Sequence, residues 1–113
     1  MPKDKVALVT GASRGIGRSI ALALAAGGAR IVAVDLGLEE TEKLAEEIKA
    51  QGGEAIAVLG NVTVAADAER MIDVAVEKFG RIDILVNNAG ITRDGLLLRM
   101  KDEDWDAVLS VNL

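Results

Sequence analysis

The sequence predicts a doubly wound α/β fold, a three-layer sandwich around a four-stranded parallel sheet in the order 3-2-1-4. Three observations predict it. Short runs dense in Val, Ile, Leu and Ala alternate strictly with helical segments along the chain. The runs lack polar alternation, as strands buried on both faces do. A cluster of glycines separates the first run from the first helix. Crossovers between parallel strands are right-handed, which leaves few topologies. In the order 3-2-1-4 the chain reverses direction between strands 1 and 4, opening a ligand crevice at their carboxyl ends.

Taken in order, "KVALVT" is the first strand, and "GIGRSIALALAA" is a helix with Ile16, Ile20 and Leu24 at steps of four. "ARIVAVD" is the second strand. "EETEKLAEEIKAQ" follows as a helix whose Leu44 and Ile48 stand out from a solvated, charged face, and Gly52-Gly53 stops it. "EAIAVL" is the third strand. "AADAERMIDVAVEKFG" carries a full amphipathic stripe of Ala68, Met71, Ile72, Ala75, Val76 and Phe79, closed by Gly80. "RIDILVN" is the fourth strand, and a loop leads from it to a final helix, "DEDWDAVLSVNL". There the spacing puts Trp105, Val108, Leu109 and Asn112 on one face, with Asp102 to Asp104 at the N-terminal end of the helix dipole. Residues 1–113 read as a single domain without linker or repeat.

Composition narrows the chemistry. The 113 residues carry a net charge of −5, which argues against nucleic acid or an anionic membrane as partner. No apolar run approaches the ~18 residues of a membrane helix, and no signal-peptide core precedes the first strand. The absence of cysteine removes disulfides and thiolate chemistry and fits a cytoplasmic location. Histidine and tyrosine are absent too, which removes two more sources of general acid or base. No metal site is expected: Asp102–Asp106 alternates carboxylates like a calcium loop but has Ala107 and Leu113 where that loop needs Gly and Glu.

The motifs fall in the predicted crevice. In "TGASRGIG", residues 10–17, the spacing of Gly11, Gly15 and Gly17 differs from the G-x-G-x-x-G fingerprint. The mechanics carry over nonetheless. Gly11 permits a sharp turn, Gly15 lets the backbone approach a pyrophosphate, and Gly17 lets the helix sit close to the sheet. The helix N-terminus then offers N–H groups to the phosphates. Asp35 ends the second strand about where an acidic residue takes adenosine ribose hydroxyls in dinucleotide folds. "NNAG", residues 87–90, closes the fourth strand; Ala89 and Gly90 leave room for a flat ring or a ribose, and the asparagine amides can pin neighbouring strands.

Together these segments resemble the N-terminal half of a short-chain dehydrogenase/reductase, in the β-ketoacyl-acyl-carrier-protein reductase branch. "TGASRGIG" is similar to that family's cofactor loop and "NNAG" to its strand-4 motif. "ITRDGLLLRMKDEDWDAVLSVNL" is similar to the branch's following loop and helix. The resemblance implies a half-Rossmann unit lacking the C-terminal half. It implies a cofactor site of Gly11, Ser13, Arg14, Gly15, Ile16, Gly17, Asp35, Asn61, Val62, Asn88, Ala89 and Gly90. Asn112 resembles the asparagine that holds a water in the family's proton relay. The downstream Ser and Tyr-x-x-x-Lys of that relay have no counterpart, and the sequence contains no tyrosine.

The expected function is a module that binds NAD or NADP weakly and catalyses little. The alternatives are an active 3-oxoacyl reductase through oligomerisation, and a purely structural unit without ligand. Arg14 resembles an arginine that meets a 2′-phosphate, whereas Asp35 resembles an acid that binds free ribose hydroxyls and repels that phosphate. Glu39 and Glu40 add negative field nearby, so the balance favours NAD. Without ligand, Arg14 and Asp35 can pair as a surface bridge. A homodimer is also expected, through a bare edge of the fourth strand at Ile82, Ile84 and Val86 and through the last helix.

Overall fold

The computed structural model describes residues 3–61 and 64–88 in full and the backbone of residues 109–112. The described residues form five strands: β1 (Val6–Thr10), β2 (Arg30–Asp35), β3 (Ala55–Leu59), β4 (Ile84–Asn87) and β5 (Leu109–Asn112). The helices are α1 (Gly15–Ala26), α2 (Leu38–Ala50) and α3 (Ala65–Phe79). Every strand pair is parallel, in the order β3-β2-β1-β4-β5. The 3-2-1-4 order read from the sequence is therefore present, with one further strand beyond it. Among the described residues no helix is long and apolar enough to cross a membrane.

Successive side chains of a strand point to opposite faces, which divides the core in two. Val6, Leu8, Val32, Val34 and Leu85 meet α3 through Ala68, Met71, Ile72 and Ala75. Ala7, Val9, Ile31, Ala33 and Ala55 face the other way, toward Ala21 of α1 and Leu44, Ala45 and Ile48 of α2. The stripes read for α2 and α3 are the faces that pack. Gly80 ends α3 with φ +83°, and its N–H donates to the Val76 carbonyl at 2.7 Å.

Helix α1 departs from its predicted stripe. Its buried residues are Gly17 and Ala21, while Ile20 and Leu24 are only partly buried and Ile16 is 64% exposed. The sheet opposite is alanine-rich, so the closest approach comes from the small residues of the helix. A hydrophobicity pattern ranks Ile above Gly and so selects the neighbouring line.

Asp83 fixes where β4 begins. Its Oδ2 accepts the Val6 N–H at 2.9 Å, and its own N–H donates to the Val6 carbonyl at the same distance. Arg81 holds Oδ1 from Nη2 at 2.6 Å and from Nε at 3.0 Å. One carboxylate thus sets the register of β4 against the central strand.

The last segment also differs from expectation. Leu109–Asn112 forms a strand rather than the end of a helix, pairing Ile84 with Leu109 and Asn87 with Asn112. The start of the expected helix, with Trp105 and Val108, lies outside the described residues. A lone helical pattern gains little without a surface to pack on, whereas a parallel edge offers unpaired N–H and C=O groups to any extended segment. The β4 edge expected to be bare is paired with β5.

This pairing can be tested by cross-linking, because the sequence has no cysteine of its own. Neighbouring strands run ~4.8 Å apart, within the Cα separation a disulfide spans. Ile84→Cys combined with Leu109→Cys should oxidise to an intramolecular bridge, seen by mass spectrometry as loss of two hydrogens in the monomer. Free thiols or purely intermolecular bridges would contradict a β5 strand.

Candidate functional site

The chain turns back across the sheet between β1 and β4, so the segments leaving their carboxyl ends border one crevice. The first of these runs from Gly11 to Arg14. Gly11 and Gly15 both adopt φ +61°, a conformation that costs a side-chain-bearing residue about 1–2 kcal/mol. The two turns aim the start of α1 at the crevice. None of the three described helices has a side-chain cap, but α1 also has no acidic residue in its first turn, whereas α2 begins with Glu39 and Glu40 and α3 with Asp67. The partial positive charge at the α1 N-terminus is therefore not offset by an acidic residue of its own first turn, a setting suited to phosphate.

Gly17 brings the helix against the loop and the end of β4. A Cβ there would fall 2.6 Å from Asn88 Nδ2 and closer still to the Gly11 carbonyl oxygen. Asn88 Nδ2 donates to that same carbonyl at 3.3 Å, lacing β4 to the glycine loop. Thr10 completes the lacing. It is fully buried, and its hydroxyl accepts the Asn88 N–H at 2.9 Å. The hydroxyl's single hydrogen faces the Val86 carbonyl at 3.3 Å and Asn87 Oδ1 at 3.4 Å. Thr10 was absent from the site read from the sequence. The available signal was a lone hydroxyl ending an otherwise aliphatic buried strand.

Asp35 closes the other side. Its Oδ2 accepts the Ser13 N–H at 3.0 Å and the Ser13 hydroxyl at 2.6 Å, and its Oδ1 accepts the Leu36 N–H at 2.8 Å. Partial burial acts to raise its pKa, but these bonds and the nearby Arg14 charge outweigh it and hold the carboxyl below its ordinary value. Asp35 thus stays ionised at neutral pH. Arg14 acts on it only through its charge; the expected surface bridge is replaced by Ser13 as the direct partner.

The structure brings Gly11, Ser13, Arg14, Gly15, Gly17, Asp35 and Asn88 together around the crevice. Ile16 stands exposed on the first turn of α1. Asn61 follows β3, its N–H on Asp67 Oδ2 at 2.9 Å, while the preceding Gly60 N–H donates to the Asp35 carbonyl at 3.1 Å. Val62, Ala89 and Gly90 lie outside the described residues. Asn112 is not on a helix stripe; its backbone ends β5 beside Asn87. A separate groove of about 690 Å³, lined in part by Gly28, Arg30, Gln51 and Glu54, lies at the other end of the sheet. Helix C-termini gather there, which disfavours an anion.

Two glycine substitutions separate close packing from backbone conformation. Gly17→Ala, which meets backbone, should cost about 1–3 kcal/mol in denaturant unfolding and disrupt the Asn88 lacing. Gly15→Ala meets nothing within 4 Å and should cost only its φ penalty, about 1 kcal/mol. Equal stability of Gly17→Ala and the wild type would contradict the close approach.

A family model described as short chain dehydrogenase matches residues 5–113. The chain is 58% identical over 111 residues to a 3-oxoacyl-[acyl-carrier-protein] reductase of Synechocystis, covering 96% of this chain and 44% of that relative. The chain therefore spans under half the length of this relative. A crystal structure of a 3-ketoacyl-ACP reductase from Sinorhizobium meliloti superposes with TM-score 0.74 at 46% identity, covering 76% of this chain and 34% of that one. A short chain dehydrogenase/reductase from Burkholderia phymatum, in complex with NAD, superposes with TM-score 0.77 at 34% identity, covering 80% and 32%. With the glycine loop, the sheet order and these matches in agreement, the chain belongs to the short chain dehydrogenase family.

Proposed function

We propose that this chain is a nicotinamide-dinucleotide-binding module that favours NAD and, by itself, transfers no hydride. One observation carries the reading. The uncapped N-terminus of α1 and the ionised Asp35 carboxylate flank the same glycine loop, one suited to a pyrophosphate and the other to ribose hydroxyls. The residues present fit that half of the ligand, since the position where Gly15 would carry a Cβ is open. The NAD in the Burkholderia phymatum structure supports the same class of cofactor.

The bound nicotinamide would supply or accept a hydride; the chain's own residues bind and orient the adenosine end. Gly11, Gly15 and the first turn of α1 would receive the phosphates, and Asp35 would accept from the ribose. A 2′-phosphate would meet the Asp35 charge, with Glu39 and Glu40 opening the helix that follows, and Arg14 offsets this only in part. For this reason NAD is favoured over NADP. The likeness to 3-oxoacyl-[acyl-carrier-protein] reductases points to a 3-oxoacyl thioester as the substrate class of the parent reaction. The family's tyrosine proton donor has no counterpart in this sequence, and general acid catalysis is worth roughly 10²–10⁴ in rate.

Titration calorimetry should find NAD binding in the range of roughly 0.1–1 mM, with ADP-ribose nearly as tight and NADP weaker. Nicotinamide absorbance with an acetoacetyl thioester should stay at the blank rate. NAD binding tenfold tighter than ADP-ribose, or turnover lost in Asn112→Ala, would contradict this reading.

A further inference from the structure

Asp35 offers less to a ligand than a free carboxylate would. An ionised carboxylate has about four acceptor positions. Both on Oδ2 are taken by Ser13, through its hydroxyl at 2.6 Å and its N–H at 3.0 Å. One on Oδ1 is taken by the Leu36 N–H at 2.8 Å. Among the described residues this leaves a single acceptor position, on Oδ1. The surrounding backbone is held as well: the Ala12 N–H donates to the Val34 carbonyl at 3.1 Å, so the loop follows the end of β2 one residue before Ser13. On the other side of Asp35, the Gly60 N–H closes on its carbonyl at 3.1 Å. Ser13 is therefore the one side chain, among the described residues, that joins the backbone N–H groups in holding this carboxylate.

We propose that Ser13 is a positioning residue that clamps the Asp35 carboxylate and, through it, sets the discrimination between a free ribose 2′-hydroxyl and a 2′-phosphate. This rests on the reading that Asp35 faces the adenosine ribose. A clamped carboxylate cannot rotate away from an incoming phosphate, so its repulsion is felt in full. The same clamp presents the remaining Oδ1 position to one hydroxyl in a defined direction. Without the Ser13 hydroxyl only the Ser13 and Leu36 N–H groups hold the carboxylate, one on each oxygen, so the clamp loosens, easing the repulsion of the phosphate and weakening the hold on the ribose hydroxyl. A bond to a charged acceptor is among the stronger hydrogen bonds, so its loss should be measurable at the neighbouring group.

The test compares Ser13→Ala, Ser13→Thr and Asp35→Ala with the wild type, using NAD and NADP as probes in titration calorimetry. Ser13→Ala should lower the NAD-over-NADP affinity ratio by about threefold to tenfold. Ser13→Thr, which keeps a hydroxyl, should restore it, and Asp35→Ala should abolish the preference. A ratio that moves in Asp35→Ala but not in Ser13→Ala overturns the clamp and leaves the ribose reading standing. A ratio that moves in neither variant overturns both. A merely structural serine would shift the unfolding midpoint without changing the ratio. A ligand-free measurement closes the remaining gap: the Asp35 carboxyl, followed by carbon NMR, should titrate at higher pH in Ser13→Ala, with Arg14 the charged neighbour common to both proteins. An unmoved titration overturns the clamp even where affinity for either dinucleotide is too weak to compare.

Discussion

The site depends on the position of β1, which pairs with β2 on one edge and β4 on the other. Its five residues are wholly buried, so neither face nor edge is left to move. The chain leaves β1 toward β2 and later enters β4 on the opposite side, and the glycine loop emerges at that reversal. The loop has support on both flanks: Ser13 reaches Asp35 at the end of β2, and Gly11 receives Asn88 from the end of β4. Thr10, the last residue of β1, accepts the Asn88 N–H from inside the sheet. The crevice is thus framed by hydrogen bonds made within the protein itself, and such internal support reduces the ordering cost of binding.

That preparation has an electrical side. Backbone dipoles place partial positive charge at the start of α1, while Asp35 holds full negative charge at the end of β2. A dinucleotide carries anionic phosphates next to neutral ribose hydroxyls, so the two ends of the loop suit adjacent parts of one molecule. The same arrangement is the basis of the proposed leaning to NAD, because a phosphate added to the ribose would sit on the negative side.

Much of this was legible in the sequence, and the failures have physical reasons. Strands buried on both faces leave continuous Val, Ile and Ala runs, and β1 to β3 were found with their ends within a residue or two. The α3 stripe was legible because Met71, Ile72 and Phe79 are large and regularly spaced. The packing face of α1 was not, because Gly17 and Ala21 contact the sheet by being small, and smallness leaves no hydrophobic signal. For Leu109–Asn112 the local helical period was outweighed by an available strand edge, which the sequence does not display. The candidate site residues Gly11, Gly15 and Asp35 were visible from the glycine loop and the strand end that they occupy. The Ser13–Asp35 bond and the Thr10 lacing join residues 22 and 78 positions apart, and no local pattern announces such pairs.

The central claim is that the first turn of α1 receives phosphate between Asp35 and the end of β4. Amide NMR during titration with ADP-ribose tests it residue by residue. The account predicts saturable shifts of the Gly15, Ile16 and Gly17 N–H signals, accompanied by Ser13 and Leu36, with Gln51 to Glu54 at the far end of the sheet unmoved. Shifts concentrated at Gln51 to Glu54, or none at the start of α1 when the ligand is saturating, would contradict it.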